Sequence, residues 1–107
     1  MDRGTYSAAQ NLLTEISSQT NAILVGEPSS SKPNFIGKAG WFQLPFSGLP
    51  GIAALQNHKS SEAEDFRKWI APHIPVSLSS VDYFSGNDKD IDRIMEIINT
   101  SESRNKN

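Results

Sequence analysis

The sequence predicts an α/β fold, and three observations support that class. A helix with one apolar face over residues 7–19 leads directly into the wholly apolar run of residues 22–25, and a second striped helix lies near the end of the chain. A short apolar run closed by glycine is typical of a strand that is buried on both faces of a sheet covered by helices. At 107 residues, the chain has the length of one small domain.

The first helix is predicted from its apolar stripe. The residues of that stripe recur at helical spacing: Ala8, Ala9, Leu12, Leu13 and Ile16. Ser7 stands at the N-cap position, and Gln10 three residues later completes a capping-box pattern. Asn21 ends the helical period.

A β-hairpin is predicted in the middle of the chain. Residues 26–38 indicate a loop, because glycine, proline, asparagine and serine dominate them. The hairpin itself consists of a strand at residues 41–44, a turn at 47–51 and a return strand at 52–55. We expect Trp41, Phe42 and Phe46 to lie in the core.

The last third of the chain predicts extended backbone followed by helix. Residues 69–76 should be extended, since each proline disfavours a helical predecessor, and residues 79–84 should form one helical turn. Asp88 is the expected N-cap of the final helix. Its stripe comprises Ile91, Ile94, Met95 and Ile98. Residues 100–107 form a polar tail that is expected to fray.

Composition excludes several classes of function. The formal net charge of -2 provides no basic surface for nucleic acid. No apolar run approaches the roughly 20 residues of a membrane-spanning helix, and no signal peptide follows Met1. The chain has no cysteine, so thiolate metal sites are excluded. Asp88, Asp90 and Asp92 do not form a calcium loop, because the glycine and glutamate that such a loop requires are missing. No metal or organic cofactor is expected, and the compartment stays open.

Ser7 is the main candidate for chemistry. A serine at the start of a helix lies among unpaired N–H groups and at the positive end of the helix dipole. A developing oxyanion is stabilised well in such a place. The same position is also that of an ordinary helix cap, so residue spacing alone leaves both interpretations open.

Several motifs resemble one peptidase family. Residues 5–10, Thr-Tyr-Ser-Ala-Ala-Gln, precede a helix and then residues 21–28, Asn-Ala-Ile-Leu-Val-Gly-Glu-Pro. This series is similar to the nucleophile region of carboxyl-terminal-processing (tail-specific) and tricorn-like serine peptidases. Similar segments continue in the same order at residues 32–37, 44–49, 69–76 and 82–88. The resemblance implies that residues 1–99 are the C-terminal portion of a crotonase-like catalytic domain, with residues 100–107 as its tail.

The resemblance also implies roles for particular residues. Ser7 takes the place of the nucleophile, and the backbone N–H of Ala8 that of an oxyanion donor. In the tail-specific branch a lysine 25 residues later is the general base, which here is Lys32. Its surroundings differ, because the branch has a Phe-Gly-Lys-Gly type segment there and a glutamine where Ile36 stands. A solvated loop lysine therefore remains an alternative.

The tricorn-like branch uses a histidine from an upstream segment instead. We expect His58 to be exposed and His73 to be structural, so neither replaces that histidine. Glu27 matches the glutamate of the family's Gly-Glu pair. Three roles are open for it: it orients the loop, it pairs with a cation, or it caps a turn.

The function implied is that of a serine endopeptidase acting on a polypeptide substrate. The family places a long segment before its nucleophile, whereas six residues precede Ser7 here. We therefore expect the chain to be inactive or barely active alone, with the upstream part of the domain as a partner. Two alternatives remain: a non-catalytic module that binds a lipid-like ligand near Trp41 and Phe42, or a truncated product without independent function.

Overall fold

The computed structural model describes residues 1–104, which form three helices and four strands. In chain order these are α1 (Ala8–Gln19), β1 (Val25–Gly26), β2 (Asn34–Gln43), β3 (Pro50–Lys59), β4 (Ile74–Pro75), α2 (Ser80–Ser85) and α3 (Lys89–Arg104). β1 pairs in parallel with β4, and β2 pairs antiparallel with β3. The described chain therefore mixes helices with two small sheets, which agrees at this coarse level with the predicted α/β class.

Helix α1 confirms the first predicted element but not its cap. It buries Gln10, Leu13 and Thr14 on one face. The expected capping box is wrong, because the Ser7 side chain makes no cap hydrogen bond and both polar atoms of the Gln10 amide lack a partner. The physical reason is the backbone of Ser7, whose φ of 56° and ψ of -120° differ from the extended conformation of a capping residue.

Strand β1 is shorter and less covered than predicted. Val25 is buried, but Ile23 is 65% exposed and lies outside the strand. The pairing partner is only two residues long, with Val25 opposite Ile74 and Gly26 opposite Pro75. The Ile74 N–H donates to the Leu24 carbonyl at 3.0 Å, and the Val76 N–H donates to the Gly26 carbonyl at 2.9 Å, on either side of Pro75. The prediction of a strand over residues 22–25, buried on both faces, is therefore wrong in extent.

The other edge of β1 is occupied by the first residue of the chain. The Met1 nitrogen donates to the Val25 carbonyl at 2.8 Å, and the Glu27 N–H donates to the Met1 carbonyl at 2.9 Å. This is the hydrogen-bond pattern of a parallel bridge opposite Gly26. Gly26 has a φ of 121°, a backbone conformation that favours glycine.

The hairpin extends well beyond its predicted strands. Its register runs from Asn34 opposite Lys59 to Gln43 opposite Pro50. Residues 34–38, predicted as loop, are therefore strand. Their composition disfavours a strand, but they form one because residues 34–37 pair with residues 56–59. Strand formation depends strongly on such cross-strand pairing. A turn is present, but it lies earlier than the predicted residues 47–51, because Pro50 and Gly51 belong to β3; the Gly48 N–H donates to the Leu44 carbonyl at 2.9 Å.

The aromatic residues expected in the core lie at the surface. Trp41 is 78% exposed, Phe42 is 49% exposed and Phe46 is fully exposed. The chain is elongated, with extents of 73 × 37 × 17 Å and a radius of gyration of 18.9 Å. A compact domain of this length would have a radius of gyration of roughly 13 Å. The core expectation is wrong because the hairpin stands away from the helices and does not pack on them.

The C-terminal elements largely follow their local signals. Residues 69–76 are not helical, as predicted, and contribute β4. α2 begins at a capping box between Ser79 and Asp82. Asp88 caps α3, because its carboxylate accepts the Ile91 N–H at 3.1 Å. In the part of the chain that the structure describes, no helix is both long and apolar enough to cross a membrane.

Helix α3 continues into the predicted tail. Residues 100–104 are helical, so the expected fraying there is wrong; residues 105–107 lie outside the described part. Hydroxyl groups on the last turns bond to preceding carbonyls, as when Thr100 donates to Glu96 at 2.8 Å. Such local bonds allow serine and threonine to remain in a helix.

The loop between β3 and β4 is held by Asp65. Its carboxylate accepts two hydrogen bonds from the Arg67 guanidinium, at 2.9 and 2.6 Å, and one from the Ser61 hydroxyl at 2.6 Å. The hydrogen bonds from Arg67 hold the pKa of Asp65 well below its usual range, against the opposing effect of burial. The neighbouring Ser60 hydroxyl donates to Asn11 at 3.0 Å, which ties this loop to α1.

Replacing Gly26 with alanine should destabilise the fold by about 2–4 kcal/mol, because strain at a positive φ adds to a steric clash. A Cβ at Gly26 would overlap the Met1 carbonyl and lie 2.7 Å from an Asp90 carboxylate oxygen. Gly86→Ala is the matched control, since Gly86 also has a positive φ, 70°, but nothing within 4 Å of an added Cβ. Urea unfolding should show a clearly larger loss for Gly26→Ala; equal losses would contradict the role given to Met1.

Acid should remove the stabilisation that Asp65 provides. The folded-state pKa of Asp65 is lowered, so its contribution is present at neutral pH and disappears as the pH falls below the ordinary aspartate pKa of about 4. Arg67 is half exposed, and solvent screening limits the effect to about 1 kcal/mol. Unfolding free energies measured from pH 7 to pH 2 should fall less steeply for Asp65→Asn than for Glu64→Gln. Parallel curves would show that the Asp65 pair contributes nothing.

Candidate active site

Ser7 lies in a tight turn with a strained backbone. The Ala9 N–H donates to the Tyr6 carbonyl at 3.1 Å and closes the turn. The Ser7 dihedrals, φ 56° and ψ -120°, are those of the first central position of a type II′ turn, where glycine is usual. A side chain in that conformation costs about 1–3 kcal/mol, and such strain is concentrated at functional sites.

The hydroxyl and the next N–H are both free for an incoming group. Ser7 is exposed, its hydroxyl makes no cap hydrogen bond, and its carbonyl accepts the Asn11 N–H at 3.1 Å as the first helical bond. The Ala8 N–H donates to no backbone carbonyl in residues 1–104. The expected nucleophile and the expected oxyanion donor are thus adjacent at the positive end of α1.

Ser7 opens onto a cleft of about 740 Å³ between the start of α1 and the hairpin. Apolar side chains predominate in its lining, and Lys38 is its one charged residue. The full lining is Tyr6, Ser7, Ser30, Ser31, Phe35, Ile36, Gly37, Lys38, Ala39, Ile52, Ala53 and Ala54. A cleft of this size and character can hold part of an extended peptide or a small apolar ligand.

The lysine in this cleft is Lys38, which the sequence analysis did not consider. Lys38 has a φ of 53°. The pairing of β2 with β3 is interrupted between Lys38 and Leu55, although the neighbouring pairs, Gly37 with Gln56 and Ala39 with Ala54, are formed. Lys32 does not line the cleft. The sequence signal at this position is the Gly-Lys pair within Phe35-Ile36-Gly37-Lys38-Ala39-Gly40.

Neither lysine is hydrogen-bonded to the Ser7 hydroxyl. In the described structure no hydrogen bond joins the Ser7 hydroxyl to Lys32 or Lys38, and both lysines are exposed. His58 is half-buried, not exposed as expected, because its ring stacks on Phe35 at a centroid distance of 4.9 Å. His73 accepts the Leu24 N–H through Nδ1 at 3.0 Å and so serves the backbone near β1.

The serine-rich segment of residues 29–31 is bonded to the chain next to the turn at Ser7. The Ser30 N–H donates to the Thr5 carbonyl at 3.1 Å. Ser29 is buried, and its hydroxyl accepts the Ile70 N–H at 2.9 Å while its own N–H donates to the Ile70 carbonyl at 3.1 Å. These bonds fix residues 29–30, beside one wall of the cleft, to Thr5 before the turn and to Ile70.

Glu27 serves the periphery of the site and not its chemistry. Its carboxylate pairs with Arg3, with 3.2 Å between Nε and Oε2, and it does not line the cleft. Across residues 1–104, no three histidine, aspartate or glutamate side chains are grouped as metal ligands would be.

Ser7→Gly should stabilise the fold by about 1 kcal/mol, because glycine adopts a positive φ without the cost of a Cβ and loses only part of that gain to unfolded-state entropy. Ser7→Ala is the matched control: it also removes the hydroxyl but keeps the strained Cβ, so its unfolding midpoint in urea should equal that of the parent. Equal midpoints for all three proteins would show that the Ser7 backbone is not strained.

Comparison with known proteins yields no relative from which a role could be transferred. No family model, curated protein or solved structure matches the chain. The resemblance to tail-specific peptidases therefore rests on the sequence motifs alone, and the geometry at Ser7 is an independent observation beside it.

Proposed function

We propose that this chain carries the nucleophile-bearing part of a serine endopeptidase domain of crotonase-like fold. The observation that carries the proposal is Ser7 itself, an exposed serine held at a φ of 56° at the start of a helix, with a free hydroxyl. An ordinary helix cap has extended dihedrals and a bonded side chain. Ser7 has neither, so capping does not explain this strained turn.

The chemistry would be acyl transfer. The Ser7 hydroxyl oxygen attacks the scissile carbonyl carbon while a base takes its proton, and the carbonyl oxygen becomes an oxyanion that the Ala8 N–H stabilises. Collapse of this intermediate expels the amine, which leaves with the proton. Water then hydrolyses the acyl-enzyme by the same route and regenerates Ser7.

Lys38 is the better candidate for the base, because it lines the same cleft as Ser7 and Lys32 does not. A lysine acts as a base near neutral pH only when burial or another cation disfavours its charged form. Lys38 is exposed in the described structure. Catalysis therefore requires a further surface that covers the cleft and removes water from Lys38.

A non-catalytic binding module is the second candidate. It is favoured by the lining of the cleft, in which Phe35, Ile36 and Ile52 provide apolar surface around a single cation. Such a lining suits an apolar ligand with one anionic group. In that case Ser7 would be a polar contact for the ligand and not a nucleophile.

The purified 107-residue chain should not hydrolyse an unfolded protein such as casein above background, because the exposed Lys38 is solvated and is a poor base for the Ser7 hydroxyl. The measurement is release of labelled peptides, with Ser7→Ala as the blank. Hydrolysis by the parent chain that Ser7→Ala abolishes would contradict this prediction.

The peptidase itself should be sought in the protein captured from its source with an antibody against this chain. A fluorophosphonate probe should label that protein at Ser7, as mapped by mass spectrometry, and not at the other cleft serine, Ser30. Lys38→Ala should abolish labelling and Lys32→Ala should preserve it. A captured protein that remains unlabelled at Ser7 would favour the binding module.

A further inference from the structure

The hairpin of β2, its turn and β3, residues 34–59, has an unusual composition; we call it the arm. From Ala39 to His58 none of the twenty residues is Asp, Glu, Lys or Arg, although the whole chain has 22 such residues among 107. Surface strands normally carry charged side chains that keep them apart from other chains. The distal part of the arm has no such protection.

Both faces of the arm are apolar. Side chains of a strand alternate between faces, so Trp41, opposite Ile52, and Phe42, opposite Gly51, lie on different sides. The Phe42 ring covers Gly51, where an added Cβ would lie 2.5 Å from the ring. Leu55 covers Gly40 in the same way. A sheet with one face in water alternates apolar and polar residues, whereas apolar residues on both faces are typical of strands that protein covers on both sides.

The arm exposes enough apolar surface for a stable interface. Seven large side chains in its distal part are 46–103% exposed: Trp41, Phe42, Leu44, Phe46, Leu49, Ile52 and Leu55. Together they present on the order of 1,000 Å², if aromatic side chains contribute about 150–250 Å² each when fully exposed. The largest apolar patch on a typical monomer is about 300–600 Å², and a standard interface takes about 800 Å² from each partner.

The backbone of the arm is also unpartnered. β2 and β3 form a sheet of two strands only, so each of them is an edge. An isolated two-stranded hairpin is marginally stable in water, and three or more strands are needed for independent stability. The arm therefore lacks at least one further strand as well as cover for its faces.

We propose that the occupant is the arm of a second copy of this chain, so that the two arms pack against each other in a symmetric dimer. A surface without charge meets no like-charge repulsion from its own copy, which favours a self-complementary two-fold interface. The exposed apolar area, summed over the turn and both faces of the arm, is of the order that each side of a standard dimer takes. The inference does not depend on the peptidase proposal.

Sedimentation velocity of the 107-residue chain over a wide concentration range tests the proposal. We expect a concentration-dependent species of twice 11.8 kDa, about 23.6 kDa. Trp41→Lys and Leu55→Lys place a charge on opposite faces of the arm, and the one on the face that packs in the dimer should shift the protein to monomer. Phe66→Lys and Phe84→Lys are the matched controls, because these rings are 81% and 85% exposed but lie outside the arm; both should remain dimeric.

A disulfide experiment tests the same contact without relying on substitutions that unfold the arm. The chain has no cysteine, so a single engineered cysteine can form only an intermolecular disulfide. Four variants each carry one cysteine on the arm, at position Ala39, Gln43, Ala53 or Leu55. At least one of these variants should crosslink rapidly under mild oxidation. Ser85→Cys on α2 should not crosslink.

Three results would overturn the proposal. One is a monomer at every concentration, which would mean that a different polypeptide covers the arm. Another is a series of aggregates without a defined dimer. The last is crosslinking at Ser85→Cys that equals crosslinking along the arm.

Discussion

The two residues of β1 are the point on which the described fold depends. Their backbone pairs with β4 on one side and with Met1 on the other, and Asp90 of α3 approaches the Met1 nitrogen at 3.9 Å. The large buried hydrophobic residues are few: Leu13, Val25 and Ile70. With so little apolar burial, directional backbone bonds around β1 carry much of the tertiary order, and a glycine at position 26 is needed for them to form.

The strained turn at Ser7 depends on hydrogen bonds to other parts of the fold. A positive φ at a serine persists only when its surroundings over-determine it. Three sets of bonds do so here: the closure of the turn by Ala9, the first bond of α1 to Asn11, and the bond between Ser30 and Thr5. The turn held in this way leaves the Ser7 hydroxyl without a cap hydrogen bond, beside the free N–H of Ala8. That combination distinguishes Ser7 from the other helix starts, since Ser79 and Asp88 cap theirs conventionally.

The cleft and the arm are parts of one surface. Ala39, Ile52 and Ala54 line the cleft at Ser7 and belong to the arm. A partner bound to the arm would therefore lie beside the cleft.

Local sequence predicted the helices, and it predicted the start of α3 but not the conformation at the start of α1. The apolar stripe places α1, and Asp88 caps α3 because a short carboxylate three residues before Ile91 reaches its N–H whatever the rest of the chain does. The turn around Gly48 follows from local chemistry as well. The spacing from Ser7 pointed to Lys32, whereas the structure places Lys38 in the lining of the cleft at Ser7.

Only the tertiary structure decided the remaining features. The extent of β2 depends on residues 56–59, about twenty positions away, and the length of β1 depends on Ile74 and Pro75. The sequence shows that Trp41 and Phe42 are apolar. Whether these side chains are buried depends on which other parts of the protein pack against the hairpin. The backbone of Ser7 could not be predicted because serine favours the ordinary cap; its positive φ is imposed by the bonds that converge on the turn.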